Sequence, residues 1–141
     1  MSPELDPGDS LPGPGVEAGA TILVVEDEHA LRAAIRRLLQ NEGYRVIEAE
    51  NGAAALEVLN SPSSAGVALV LTDLRMPVMD GRQFAAALVR VRPDLPIVFM
   101  SGFTAQLMDM RLVSPQVAFL AKPFKNDALL AAVRDQLDRP E

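Results

Sequence analysis

The chain has 141 residues, 49% hydrophobic and 23% charged, with a formal net charge of -6 at pH 7, which suits one globular domain with a real core. It has no cysteine and one histidine, His29; this excludes disulfides, zinc–thiolate sites and thiol catalysis, argues against a Ser-His triad, and fits the cytoplasm. No apolar run approaches the roughly 20 residues of a bilayer span, no secretory signal opens the chain, and no basic stripe marks a DNA-binding face, so neither membrane nor direct nucleic-acid binding is expected.

Residues 1–20 contain four Pro and four Gly, and Glu4, Asp6, Asp9 and Glu17 without Lys or Arg. They hold -4 of the net charge, leaving -2 for the rest. With no periodicity and little to bury, they read as a disordered tail or linker. The texture changes at Thr21, and the folded domain is assigned to 21–141.

The first apolar run is "TILVVE" (21–26). In "EHALRAAIRRLLQNEG", Leu31, Ala34, Ile35, Leu38 and Leu39 fall on one helical face, and Gly43 is a stop signal. "YRVIEA" (44–49) is the second strand, followed by the short helix "AAALEVLN" (53–60) and the loop "SPSSAG". The third strand is "VALVLTD" (67–73), and the helix "RQFAAALVRV" (82–91) stops before Pro93. "PIVFMS" (96–101) is the fourth strand. "AQLMDMRLV" (105–113) is the fourth predicted helix, ending before Pro115. "VAFLAK" (117–122) is the fifth strand. The fifth predicted helix, "NDALLAAVRDQLD" (126–138), has Leu129, Leu130, Val133 and Leu137 on one face. The first, third and fourth runs are nearly continuous Val/Ile/Leu, as in strands buried on both faces. Strand and helix alternate five times, which predicts an α/β fold: a doubly wound five-stranded parallel sheet with right-handed crossovers and helices on both faces.

Four strand ends carry reactive side chains: Glu26-Asp27-Glu28, Asp73, Ser101 and Lys122. In an open parallel sheet these ends share one edge, where ligands bind. If the first, third, fourth and fifth strands are neighbours, the four groups converge. Glu26, Asp27 and Asp73 are hard oxygen ligands suited to magnesium, which takes octahedral oxygen coordination at about 2.0–2.1 Å. Lys122 and Ser101 suit the oxygens of a phosphoryl group. Asp73, between the acidic end and the Ser/Lys end, is the candidate nucleophile for an acyl phosphate. Singly, each residue has a plainer explanation. Asp27 and Glu28 suit the first turn of a helix. Ser101-Gly102, Met76-Pro77 and Asp80-Gly81 suit turns. Lys122 suits a solvated surface. Their joint occurrence at strand ends is what argues for a site.

"ILVVEDE", "LVLTDLRMPVMDG", "IVFMSGF" and "VAFLAKPF" together resemble the signature blocks of the response-regulator receiver domain of bacterial two-component signalling, over residues 20–138. The resemblance implies a flavodoxin-like (βα)5 fold with strand order 2-1-3-4-5. It implies that Asp73 accepts phosphate from the phosphohistidine of a histidine kinase or histidine phosphotransfer protein. It implies Mg2+ bound by Asp27, Asp73 and the backbone carbonyl of Arg75, with Glu26 acting through a water. Ser101 and Lys122 would bind phosphoryl oxygens, and Phe119 would be the aromatic switch that turns inward when Ser101 moves. The Lys122–Pro123 bond would be cis. The fourth helix, fifth strand and fifth helix (104–138) would form the responsive face, with a homodimer through it. Met108, Met110 and Leu112 would make that face adaptable.

The chain departs from the commoner pattern in two places: the switch residue is Phe where Tyr is usual, and Ser101 stands where Thr is commoner. Arg75 and Phe103 occupy positions that tune water access to the acyl phosphate, and their types point to a long-lived phosphorylated form. The expected activity is signalling, with catalysis limited to the domain's own phosphotransfer and dephosphorylation. A small Mg-dependent phosphatase of the haloacid-dehalogenase type is the enzyme alternative. It needs an acid two residues after the nucleophile, where this chain has Arg75. A flavodoxin-like cofactor protein needs an anion-welcoming first loop, which "EDEHA" is not. The intact set of strand-end residues argues against a degenerate receiver acting only as an interaction module. A stand-alone regulator, a phosphorelay shuttle and a hybrid-kinase receiver all fit a chain that ends after the fifth helix. The wording "FMSGFT" and "VAFLAKPF" favours the hybrid kinase.

Overall fold

A computed structural model describes residues 19–64, 66–73, 81–101 and 117–138. The elements are β1 (Thr21–Val25), α1 (His29–Asn41), β2 (Arg45–Ala49), α2 (Gly52–Leu59), a short 3₁₀ turn (Pro62–Ser64), β3 (Val67–Asp73), α3 (Gly81–Val91), β4 (Ile97–Ser101), β5 (Val117–Ala121) and α4 (Asn126–Leu137). The label α4 belongs to the fifth predicted helix. The fourth, 105–113, lies outside the described residues. All strand pairs are parallel, in the order β2-β1-β3-β4-β5.

β1, β3 and β4 are buried because helices cover both faces of the sheet, and alternating side chains feed two separate cores. Leu23, Val25, Ile97 and Phe99 pack with Phe84, Ala85 and Leu88 of α3 and with Ala55 and Leu59 of α2. Ile22, Val24, Val98 and Met100 pack with Ile35 and Leu39 of α1 and with Leu129 and Val133 of α4. In β3 the alternation breaks once. The register passes from Thr21↔Val67 to Ile22↔Leu69, so an extra residue, Ala68, sits in β3. Val67 joins the α2/α3 core and Leu69, two residues on, joins the α1/α4 core. A bulge re-aims side chains in just this way.

Helix ends follow local chemistry. The Asn51 side chain accepts the Ala54 N–H at 2.8 Å and caps α2. After α1, Gly43 adopts a φ of +96°, a backbone that only glycine enters without strain. Ile35 and Leu39 are buried as the periodicity predicts, but Ala34 is exposed. It lies about 100° around the helix from Ile35 and its single methyl does not reach the sheet. Among the described residues no helix is long and apolar enough to cross a membrane.

Candidate functional site

The ends of β1, β3, β4 and β5 supply the parts of the site. These strands run parallel, so the polar side chains at their carboxyl ends emerge at the same edge. Beyond β1, the Glu26 N–H still donates to the Ala49 carbonyl of β2 at 3.1 Å. Its side chain lies almost wholly inside, 1% exposed, and Oε2 accepts the Glu28 N–H at 3.1 Å. Asp27, the next residue, is exposed. Asp73 closes β3 and is 8% exposed. It is in register with Met100 of β4. Ser101 closes β4 and is buried. The Lys122 N–H donates to the Ser101 carbonyl at 2.9 Å, which fixes the backbone just past β5. From there Lys122 Nζ donates to Asp73 Oδ2 at 3.1 Å and to Glu26 Oε1 at 3.3 Å. The Lys122–Pro123 bond is cis. Phe119, in register with Phe99, stacks on it at a centroid distance of 6.4 Å and 26° between planes.

Burial pushes the Glu26 carboxyl above its ordinary range. The Glu28 N–H opposes that, the Asp73 charge adds to it, and Lys122 offsets part of it. For Lys122, burial works against the charge, but the bond to Asp73 and the charges of Asp73 and Glu26 outweigh it and hold the ammonium up. The ammonium is therefore charged throughout the physiological range and stands between two carboxylates.

One carboxylate oxygen from each of Glu26, Asp27 and Asp73 lies within 4.8 Å of the others. Three anionic oxygens held this close repel one another, and the Asp73 charge adds to the burial that raises the Glu26 carboxyl. Oxygen-only donors with one exposed member suit a hard divalent cation that keeps waters in its shell. The residues present therefore fit a metal ion.

The structure thus brings together Glu26, Asp27, Asp73 and Lys122. Ser101 is joined to Lys122 through the backbone, and Phe119 is on the neighbouring strand. Arg75 and Phe103 lie outside the described residues. Two nearby residues escaped the sequence reading. Arg32, on α1, donates from Nη1 to the Glu26 carbonyl at 2.7 Å and from Nε to Glu48 Oε1 at 2.9 Å. Arg36 Nη1 reaches Glu48 Oε2 at 2.8 Å. The available signal was Arg32 itself, a cation in the first turn of a helix, where the dipole disfavours it unless a partner compensates.

Residues 22–134 match the response regulator receiver domain family. The chain belongs to that family. This receiver is 35% identical over 127 residues to Sensor kinase CckA of Brucella abortus (strain 2308), covering 89% of this chain and 13% of CckA. It is 38% identical over 104 residues to the response regulator receiver protein CpdR of the same organism, covering 73% of this chain and 84% of CpdR. Among solved structures, the response regulator TrrA of Thermotoga maritima, in complex with Mg2+-BeF, superposes with a TM-score of 0.71 at 29% identity, covering 82% of this chain and 97% of TrrA. The receiver is a phosphorylatable domain of two-component signalling, a family that works with histidine kinases or phosphotransfer proteins rather than as metabolic enzymes.

Proposed function

We propose that Asp73 is the phosphoryl acceptor and that the acidic cluster works with Mg2+. The observation that carries this is the bridging ammonium: Lys122 Nζ bonds Asp73 and Glu26 at the strand edge where Asp27 completes the carboxylate set. An Asp73 oxygen attacks the phosphorus of a phosphohistidine in a kinase or phosphotransfer partner. The P–N bond breaks, its electron pair stays on the imidazole nitrogen, and the acyl phosphate forms on Asp73. Asp27, Asp73 and the Arg75 carbonyl would hold the metal, with Glu26 assisting. When bound, the ion neutralises phosphoryl charge. Lys122 and Ser101 bind phosphoryl oxygens. Hydrolysis of the acyl phosphate returns the domain to rest, slowed by the Arg75 and Phe103 side chains.

Lys122 follows β5 and Ser101 closes β4, so closing on the phosphoryl group pulls on both. Phe119 turns inward and the 104–138 face is remodelled. That face serves a partner or a second copy of the domain. The domain operates in the cytoplasm, as one part of a longer kinase or as a small regulator. Incubation with radiolabelled acetyl phosphate and Mg2+ tests this. Label is expected on the native chain and none on Asp73→Asn. Equal labelling of both would overturn the assignment.

A further inference from the structure

The acidic cluster needs its backbone held, because the carboxylates repel. Two of the three come from the short segment between β1 and α1, which carries Glu26 and Asp27 consecutively. One side chain outside the cluster grips that segment. Arg32, 15% exposed, spends its guanidinium on three elements at once. Nη1 donates to the carbonyl of Glu26 at 2.7 Å, Nε donates to Glu48 Oε1 of β2 at 2.9 Å, and Nη2 lies 3.1 Å from Nδ1 of His29. A guanidinium only donates, so Nδ1 of His29 is the acceptor. The planar fork thereby ties the end of β1 to β2 and to the first turn of α1. A lysine has no such fork.

The Glu26 carbonyl belongs to the peptide unit that leads into Asp27. Fixing it fixes the plane from which the exposed Asp27 side chain projects. The Glu26 carboxylate is separately held by the Glu28 N–H. With both anchors present, the segment keeps its shape against the repulsion between the carboxylates. We propose that Arg32 is a positioning residue for the metal site, held in its own place by Glu48, and that it presets the β1–α1 segment for Mg2+. This rests on the reading that the cluster takes Mg2+.

The sign of the effect separates positioning from plain electrostatics. Arg32 is a cation near the cluster. Removing its charge, with the geometry unchanged, tightens binding of a divalent cation. Removing an anchor weakens it, by about tenfold if it resembles other supports of metal ligands. Calorimetric titration of Mg2+ into the full chain reads this directly. Arg32→Ala is expected to bind about tenfold more weakly, and Arg32→Lys to fall between it and the native chain. Arg36→Ala, which removes a Glu48 partner but no contact to the Glu26 carbonyl, is expected to bind as the native chain does or more tightly. In acetyl-phosphate labelling, Arg32→Ala is expected to need more Mg2+ for half-saturation yet reach the native rate at saturation. If Arg32→Ala does not fold, Arg32→Lys, which keeps the charge but loses the fork, carries the test and is expected to weaken Mg2+ binding by a smaller factor. Unchanged or tighter binding by Arg32→Ala overturns the proposal, as does equal weakening by Arg36→Ala. Where the native chain binds Mg2+ and only the variant prediction fails, the proposed function stands and this inference falls. A native chain that binds no Mg2+ overturns both.

Discussion

Glu26 and Glu48 stand at the carboxyl ends of adjacent strands, and their surroundings treat them in opposite ways. Glu48, on β2, receives Arg32 at 2.9 Å and Arg36 at 2.8 Å. Burial raises its carboxyl, but the two guanidiniums outweigh that and hold it below its ordinary range. Glu26, one strand inward, is buried beside Asp73 and shares the Lys122 ammonium with it. Its carboxyl is pushed up. One carboxylate is neutralised in place and serves to orient an arginine. The other is kept in a cluster whose charge is incompletely offset by Lys122, which is the condition for drawing in a cation. The difference separates an acid held by two arginines from one buried beside a second carboxylate on the same sheet edge.

The sharpest way to break the comparison is to remove the shared ammonium. Lys122→Met is expected to slow phosphoryl labelling by about a hundredfold or more, the scale for losing one preorganised donor to a transferring group. Its metal-free fold should lose about 1–3 kcal/mol in urea unfolding, because Glu26 and Asp73 then face each other without their bridging cation. Mg2+ should bind the variant more tightly, since the ammonium no longer competes for the same oxygens. An unchanged labelling rate would place Lys122 with the structural pairs instead.

Glu26→Gln tests the other half. A carboxyl whose folded value is raised is one whose ionised form opposes folding. The substitution is expected to stabilise the metal-free protein at neutral pH by up to about 1 kcal/mol while weakening Mg2+ binding about tenfold. A loss of stability instead would mean that the bond to Lys122 outweighs the burial.

Elements governed by local pattern were legible in the sequence. β3 runs over the predicted residues 67–73, the Gly43 stop is where α1 ends, and the polar ends of four strands pointed to one edge. What escaped is set by contacts between distant residues. The bond from Lys122 to Glu26 spans 96 positions and that from Arg32 to Glu48 spans 16. No periodicity reports either. Sequence patterns also do not say that Glu26 is buried while Asp27, one residue on, is exposed, because that depends on where the sheet edge turns into α1. Gln136 is a further case. Helical spacing from Leu129 and Val133 puts it on the buried face of α4, but nothing in that spacing names the partner, the Ile97 carbonyl, to which Nε2 donates at 3.2 Å. Ala68 is the same in the sheet, since a bulge shows only in the pairing.

The smallest expected effect lies at Glu48, and it fixes the sign of the comparison. Its carboxyl is held below the ordinary 4.5. Below that value the unfolded chain binds the proton more readily than the folded one, so the contribution of Glu48 is present at neutral pH and is lost as pH falls through the folded value. Glu48→Gln should therefore cost about 1 kcal/mol at neutral pH, the scale of two partly exposed ion pairs. The stability curves of variant and native chain should converge as the medium is acidified. Glu26 has the opposite slope. With its carboxyl raised above 4.5, the folded chain holds the proton longer, and stability falls as pH rises from 4.5 through the folded value. Glu26→Gln should flatten the profile on that side, and Glu48→Gln should flatten it on the acid side. Urea unfolding across pH, in the absence of metal, measures both slopes with the same probe. Two adjacent glutamates that bend the profile in opposite directions would be the thermodynamic record of one acid serving the fold and one serving the site; slopes of the same sign would remove the distinction.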